Sequence, residues 1–221
     1  MTSPPLCQGA DFCQELSGSG DTSFARVYGG DPPDRRIVSF RGFELVADMS
    51  PLAVGHLLLL PRKHHLSFAR VIAEGDTELR CLLDWVTSRY TDAFSAPLVL
   101  EHGSTEEAGQ QACITHAHWH LLPVSGDAVD ALLERDGLAY YDIDDLGELG
   151  TEPWTRVSYY FRLYRGRGRI YLPAGRHQRQ YLRSVVGAVL SIADPEWDYA
   201  VVIRKEYLRS TVRRTANWTM H

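Results

Sequence analysis

The sequence lacks several features that would assign it to a specialised class of protein. No apolar run reaches 18 residues, which argues against a membrane-spanning helix. Residues 1–6 contain no basic stretch followed by an apolar core, so a cytoplasmic location is predicted. The four cysteines show no disulfide-framework spacing, and no internal repeat occurs. These absences predict a globular protein with no membrane partner.

Composition is ordinary for a globular domain, but charge is unevenly distributed. The 221 residues are 44% hydrophobic and 23% charged, with a net charge of −5, which argues against nucleic acid as the main partner. Residues 1–151 carry 10 basic and 23 acidic residues, a net charge of −13, whereas residues 152–221 carry 13 and 5, a net charge of +8. We therefore expect the two parts to pack together, or the basic part to meet an anionic ligand.

Apolar patterning predicts an α+β fold, with an antiparallel sheet and flanking helices. Residues 36–40 and 43–47 have the pattern of a hairpin across Arg41-Gly42, and residues 56–61 and 97–101 the pattern of further strands. Short links between these strands favour antiparallel pairing, and an apolar stripe over residues 77–90 predicts a helix packed on the sheet. A short strand is also predicted at residues 24–28.

Four segments are predicted along the chain. Residues 1–22 are rich in Gly, Ser, Pro and Asp and are expected to form an N-terminal loop or tail, followed by the main domain at residues 23–125. Residues 126–152 are predicted to be an acidic connecting segment. Residues 153–221 are predicted to be a smaller basic α+β extension, which ends in a helix over residues 205–214.

One stretch, residues 113–123 with the sequence CITHAHWHLLP, carries three alternate histidines. If it is a strand, His116, His118 and His120 share one face, and the residues between them share the other. A single strand histidine is usually an ordinary polar residue with satisfied hydrogen bonds. Three on one face each need their own partners, which favours a functional role for that face.

Two kinds of chemistry suit three histidines on one face. Alternate strand residues lie about 6.5–7 Å apart and the outer pair about 13 Å apart, so three histidines cannot easily bind one ion. A zinc site would need two of them, an open position for water and a further ligand. The candidates for that ligand are His64, His65, His102 and Glu101. A middle imidazole could instead attack phosphorus while its neighbours donate to phosphate oxygens, a reaction that needs no metal and no other cofactor.

Three motifs together resemble those of the histidine triad (HIT) superfamily. They are ADMSP at residues 47–51, GHLLLLPRKH at residues 55–64 and HAHWHLLP at residues 116–123, in the family's order and spacing. The matching region runs from residue 35 to residue 123. The resemblance implies an antiparallel sheet with helices and a homodimer. It also implies substrates in which a nucleotide is joined through phosphorus to a leaving group.

The same resemblance implies a role for each matching residue. His118 matches the nucleophile that attacks the α-phosphorus and forms a nucleotidyl-histidine intermediate. His116 matches a residue that supports the site by hydrogen bonding, and His120 matches the residue that contacts phosphate. His64 matches a fourth histidine that completes this network. Asp48 matches the carboxylate that binds ribose hydroxyls, which suits its two acceptor oxygens.

Some positions depart from the family pattern. Cys113 ends a Gln-Ala-Cys run where members often have Gly-Gln-Ser/Thr, and Glu101 stands where hydrolases commonly have Asn or Gln. Cys113 and Glu101 are therefore predicted to lie in the substrate site with altered contacts. The Cys-x-x-Cys zinc pair of some members is incomplete, since Ala10 takes the first place and Cys13 the second. No metal is predicted, and whether Cys7 takes the missing place is left open.

The resulting prediction is a HIT-type nucleotide hydrolase or nucleotidyl transferase. One alternative is a nucleotide-binding module without turnover, which a trapped nucleotidyl-enzyme intermediate would exclude. The other is a metal-dependent hydrolase that uses the same histidines, which metal analysis and indifference to chelators would exclude. The base, the leaving group and the acceptor cannot be identified from these motifs.

Overall fold

The computed structural model describes residues 7–75, 77–105, 114–173, 180–192 and 202–220. Its strands form one sheet in the order β1-β2-β3-β5-β4-β7-β8-β6, and every neighbouring pair is antiparallel. The strands are β1 (Arg36–Phe40), β2 (Phe43–Ala47), β3 (Leu57–Pro61), β4 (Leu98–Gly103), β5 (Trp119–Leu122), β6 (Tyr140–Ile143), β7 (Tyr159–Tyr164) and β8 (Arg167–Tyr171). The predicted hairpin is formed by β1 and β2, and the predicted α+β class is confirmed.

Helices cover the sheet and connect its strands. They are α1 (Phe12–Leu16), α2 (Ser23–Tyr28), α3 (Phe68–Ala73), α4 (Thr77–Ala93), α5 (Gly126–Arg135), α6 (Tyr181–Val189) and α7 (Lys205–Arg214), with a 3₁₀ helix at Leu146–Gly150. In the part of the chain that the structure describes, none of them is long and apolar enough to cross a membrane.

The largest apolar core lies on one face of the sheet, beneath α4. That helix buries the stripe that the sequence predicts, Leu79, Leu82, Leu83, Val86 and Tyr90. The stripe packs against Leu57 and Leu59 of β3 and against Trp119 of β5, in one core cluster. Burying one leucine side chain contributes roughly 1.5–3 kcal/mol, so this face supplies much of the stability that holds β3 and β5 in register.

The opposite face of the sheet carries two smaller apolar clusters. Near β2 and β3, Phe12 packs with Val46, Leu58 and Leu60. Near β4 and β7, the helices α5 and α6 cover the second cluster, to which α6 contributes Leu182. A cavity that both Leu58 and Leu182 line lies between the two clusters and contains the candidate site.

The basic C-terminal part continues the sheet of the main part. β7 pairs with β4 over six residue pairs, from Leu98↔Tyr164 to Gly103↔Tyr159, and β8 and β6 follow. The segment predicted as an acidic connector contributes α5 and the strand β6, and α7 places Leu208 in the main core. The three segments after residue 23 therefore share one sheet.

The predicted strand at residues 24–28 is wrong, because these residues form α2. The Thr22 hydroxyl accepts the backbone N–H of Ala25 at 3.2 Å and caps the first turn. Gly29 ends the helix in the left-handed region with φ of 60°. Phe24 and Tyr28 are four residues apart, a helical spacing, and their rings stack with centroids 4.9 Å apart.

Candidate active site

The three alternate histidines do not share one strand face, so the predicted arrangement is wrong. β5 begins at Trp119, which leaves His116 and His118 before the strand and only His120 within it. The His116 ring is drawn away because its Nε2 lies 2.8 Å from the carbonyl oxygen of Pro61. The rings of His118 and His120 stay together, with centroids 4.9 Å apart.

His118 is held in the tautomer that a nucleophile needs. Its Nδ1 lies 2.7 Å from the carbonyl oxygen of His116, and a carbonyl only accepts, so Nδ1 carries the proton. Nε2 then has the lone pair, and the ring lines a cavity of about 390 Å³. Burial lowers the pKa of His118 below its ordinary value, which keeps the ring neutral at pH 7.

His56 fixes the proton of His120, whereas the sequence prediction named His64 as the fourth histidine of the network. The backbone N–H of Leu52 donates to His56 Nδ1 at 3.2 Å, so the proton of a neutral His56 is on Nε2. Burial lowers the pKa of His56 to about 4 and keeps it neutral. His56 Nε2 lies 2.9 Å from His120 Nδ1 and donates to it, which places the His120 proton on Nε2. His120 is therefore a hydrogen-bond donor beside His118.

Replacing His56 with leucine is expected to lower kcat by about 10- to 100-fold, the usual cost of losing a partner that orients a functional side chain. Without the His56 donor, His120 can place its proton on either nitrogen. His56→Gln keeps an N–H donor and should recover part of the rate, whereas a purely structural role would leave both variants equally affected. The kcat values, the KM values and the pH profiles of both variants check this prediction, and wild-type kcat in His56→Leu would contradict it.

Asp48 lines the same cavity and is hydrogen-bonded to the protein through both carboxylate oxygens. Its Oδ1 accepts the backbone N–H of Ser50 at 2.7 Å, and its Oδ2 lies 3.1 Å from Arg183 Nη1. The same Oδ2 lies 3.5 Å from His56 Nε2 and 3.9 Å from His120 Nδ1. Burial opposes ionisation, but His56 and Arg183 outweigh it and hold the pKa of Asp48 well below its usual range.

A second cluster contains two thiols and two imidazoles. Cys7 Sγ lies 3.6 Å from His64 Nδ1 and 3.4 Å from His116 Nδ1. Cys13 Sγ lies 3.3 Å and 3.5 Å from the same two nitrogens. The predicted role of His64 is corrected accordingly, because its side chain faces this cluster. The side chain of His116 faces it as well, and His116 supports His118 by hydrogen bonding through its backbone carbonyl.

The sulfur–nitrogen distances of this Cys7/Cys13/His64/His116 cluster fit a tetrahedral zinc ion, whereas the two sulfur atoms, 2.9 Å apart, lie closer than the roughly 3.8 Å expected of two zinc-bound thiolates. With Zn–S near 2.3 Å and Zn–N near 2.0–2.1 Å, sulfur and nitrogen ligands should be roughly 3.5 Å apart. All four sulfur–nitrogen distances agree with that value, and the four atoms lie within 4.8 Å of one another. His116 also donates its Nε2 proton to Pro61, which directs the Nδ1 lone pair at the thiols, as metal-binding histidines commonly do.

The N-terminal segment, for which the sequence predicts a loop or tail, forms a wall of the cavity. Gly9, Ala10, Asp11 and Phe12, which lie between the two cysteines, all line the cavity. The Phe12 ring is buried and packs on His118, with centroids 5.8 Å apart. The sulfur–histidine cluster therefore anchors both ends of a segment that contacts the candidate nucleophile.

Glu101 is a core carboxylate and does not line the cavity, so its predicted place in the substrate site is wrong. It is 1% exposed and accepts the backbone N–H of Phe68 at 2.6 Å, Trp119 Nε1–H at 3.1 Å and the Tyr159 hydroxyl at 2.8 Å. The alternation of β4 explains this position, because Glu101 points to the same face as Val99, into the main core. Its neighbour His102 lines the cavity instead.

Glu101 should make stability depend on pH without affecting substrate binding. Burial raises the pKa of Glu101 to about 7. In the unfolded chain the pKa of this carboxyl is near 4.5. The stabilisation that the protonated side chain provides is therefore fully present below pH 4.5 and is lost as the pH rises through 7. Between these values the protein should lose about 3 kcal/mol of stability, and Glu101→Gln should remove this change. Denaturant unfolding of both proteins from pH 4 to 8 measures it, and a raised KM in the variant would contradict the core assignment.

Cys113, the other residue predicted to meet substrate, lies outside the described residues. Its contact with substrate therefore stays a prediction.

Comparison with known proteins found structural likeness only. No family model matches the chain, and no curated relative matches it. The matching solved structures include a Hit-like protein involved in cell-cycle regulation from Bartonella henselae, with 23% identity, a TM-score of 0.32, and coverage of 47% of this chain and 80% of that one. A hypothetical histidine triad nucleotide-binding protein from Sulfolobus tokodaii has 25% identity, a TM-score of 0.32, and coverage of 46% and 67%.

A zinc-bound histidine triad family protein from Mycobacterium smegmatis has 20% identity, a TM-score of 0.35, and coverage of 53% and 76%. These structures are similar to about half of the present chain and have the family name that the sequence motifs indicate.

Proposed function

We propose that this chain, which resembles histidine triad proteins in its motifs and its antiparallel sheet, is a nucleotide hydrolase or nucleotidyl transferase. The observation that carries the proposal is the state of His118. A backbone carbonyl holds its Nδ1 proton, its Nε2 lone pair is available, and burial keeps the ring neutral in a cavity large enough for a small ligand. These properties suit a nucleophile more than a structural histidine.

The proposed reaction has two steps at the α-phosphorus of a nucleotide conjugate. His118 Nε2 forms a bond to phosphorus while the bond from phosphorus to the leaving group breaks, and the leaving group takes up a proton. The Nε2–H of His120 donates to a non-bridging phosphate oxygen as charge develops there. Water, or another hydroxyl acceptor, then attacks phosphorus and breaks the P–N bond, which releases the nucleotide and restores His118.

The lining of the cavity suits a nucleotide. Asp48 has oxygens that could accept ribose hydroxyls, and it lies beside His120. Apolar side chains, which suit a flat base, line the remaining wall and include Val27, Met49, Leu58, Leu182 and Ile203. The substrate class is therefore a nucleotide joined through its α-phosphate to a leaving group.

We further propose that Cys7, Cys13, His64 and His116 hold a structural zinc ion. The ion would supply folding energy and order the cavity wall between the two cysteines. With four protein ligands the site has no open position for water, so no part of the reaction is assigned to it.

A metal-dependent hydrolase is the second candidate, because Asp48, His56 and His120 also bring three ligand atoms within 4.8 Å of one another. The His56–His120 hydrogen bond at 2.9 Å accounts for two of these atoms without an ion. Turnover with no added divalent cation, unaffected by brief exposure to a chelator, is expected for the histidine mechanism. Loss of turnover that added metal restores would favour the second candidate.

The proposed function is tested with a panel of nucleotidylated compounds, including phosphoramidates, mixed anhydrides and dinucleoside polyphosphates. Release of a nucleoside 5′-monophosphate, with mass detection of a nucleotidyl group on His118, is the expected result. Nucleotide binding with no release from any compound would favour a binding module without turnover. The homodimer, the cytoplasmic location and the absence of a nucleic-acid partner stay predictions.

A further inference from the structure

The C-terminal part contributes a cation to the candidate active site. Arg183 belongs to α6, and it lines the cavity together with His118 and His120. α6 is fixed by Val185 and Val186, which are buried in the cluster beneath α5 and α6. The Arg183 side chain is only 12% exposed, so its position is set by packing rather than by solvent.

Arg183 is connected to the histidines through a single carboxylate. Its Nη1 donates to Asp48 Oδ2 at 3.1 Å, and its Nη2 donates to the carbonyl oxygen of Ser50 at 2.6 Å. Asp48 Oδ2 is the same oxygen that lies 3.9 Å from His120 Nδ1. The guanidinium and the ring of His120 therefore lie beside the same carboxylate oxygen.

Other arginines near this region have partners that tie them elsewhere. Arg35 also lines the cavity, but Glu15 holds its Nε and Nη2 at 2.7 and 2.6 Å. Arg162, which belongs to the basic C-terminal part, is buried against Asp130. Arg183 differs because its acidic partner, Asp48, is itself a proposed substrate ligand.

We propose that Arg183 binds a phosphoryl group of the nucleotide substrate, an inference that rests on the proposed function. A guanidinium presents five N–H donors in a planar fork and matches phosphate oxygens with two parallel hydrogen bonds. In the free protein Asp48 holds the guanidinium in place. When substrate binds, the ribose hydroxyls engage Asp48, and Arg183 contacts phosphate. Specificity would thus depend on the C-terminal part as well as on the histidine motif.

The phosphoryl group is either the 5′-phosphate at His118 or a second phosphate on the ribose, and calorimetry separates the two. We would measure the affinities of adenosine, adenosine 5′-monophosphate and adenosine 3′,5′-bisphosphate, and of the guanosine series, for wild-type protein and Arg183→Gln. Arg183→Gln should weaken monophosphate binding about 10- to 100-fold and leave nucleoside binding within about twofold. A loss confined to the bisphosphate would assign Arg183 to the ribose phosphate.

A structural role for Arg183 predicts a different pattern. If the side chain only joins α6 to the turn after β2, Arg183→Gln would weaken nucleoside and nucleotide binding equally, and that result would overturn the proposal. Arg183→Lys keeps the charge but not the fork, and its phosphate-specific loss should be intermediate. Asp48→Asn should weaken nucleoside binding while the preference for phosphate persists.

The outcomes for this inference and for the proposed function are distinguishable. Arg183-dependent binding of a monophosphate without turnover of any conjugate would reject the reaction and retain the phosphate contact. If the protein turns over a conjugate and Arg183→Gln leaves its preference for phosphate unchanged, only the proposed contact between Arg183 and phosphate is rejected. Wild-type protein that binds no nucleotide would reject both.

Discussion

His118→Asn is expected to abolish turnover of every nucleotide conjugate that the wild-type protein cleaves. Asparagine can keep a polar contact in the cavity, but it has no lone pair equivalent to the imidazole Nε2, so no covalent intermediate can form. Losing a nucleophile typically lowers kcat by roughly 10⁴- to 10⁶-fold. Nucleotide binding should survive within about tenfold, because the contacts of Asp48 and Arg183 remain.

Steady-state rates and nucleotide affinities of His118→Asn measure these two effects separately. His65→Asn is the matched control, because His65 is a histidine whose ring contacts Glu74 and does not line the cavity. It should retain wild-type kcat. Wild-type turnover by His118→Asn would reject His118 as the nucleophile, and equal loss in both variants would point to a general effect on folding.

Cys13→Ser is expected to remove zinc from the protein and to lower its thermal stability. A ligand present at about 1,000 times its Kd stabilises the folded state by about 4 kcal/mol. For a protein of this size that corresponds to a fall in Tm of about 10 °C. The cavity wall between Cys7 and Cys13 loses one of its anchors, so KM should also rise.

Elemental analysis of purified protein and thermal unfolding with and without chelator measure both effects. Cys81→Ser is the control, because Cys81 is an exposed cysteine of α4 outside the four-residue cluster. It should bind one zinc per chain and keep the wild-type Tm. Wild-type protein without zinc, or with a Cys7–Cys13 disulfide instead, would contradict the assignment.

The strands and the candidate nucleophile could be predicted from local sequence, because their signals lie within a few residues. The apolar run that became β3 and the stripe of α4 each fit one period of hydrophobicity. The histidine motif also indicated His118, which lines the cavity. The sequence did not show that His118 lies before β5. The alternation of residues from His116 to Leu121 is the same whether or not all of them pair with a neighbouring strand.

The positions of His56 and His64 show what local sequence cannot determine. In β3 and β5, Leu58 pairs with His120, so His56, two residues before Leu58, lies on the same face of the sheet as His120. His64 follows the end of β3 at Pro61, and its ring packs against the ring of His116. This assignment depends on which strand pairs with β3, and that pairing joins residues more than 60 positions apart.

The same limit explains Glu101 and Arg183. The face of β4 that enters the main core depends on the register with its neighbours β5 and β7, and this register turned Glu101 inward. Arg183 lies 135 residues after Asp48 and reaches it only because β7 and β8 carry the chain back beside β4. The charge asymmetry did indicate that the basic part could meet an anionic ligand, without identifying the residue.

The stereochemical course at the α-phosphorus distinguishes a covalent mechanism through His118 from direct hydrolysis. A cleavable substrate is prepared as a single diastereomer with sulfur on the α-phosphorus and is hydrolysed in ¹⁸O-labelled water. Attack by His118 followed by attack by water inverts the configuration at phosphorus twice, so the covalent mechanism predicts net retention. Net inversion would show a single direct displacement by water and would contradict a covalent role for His118.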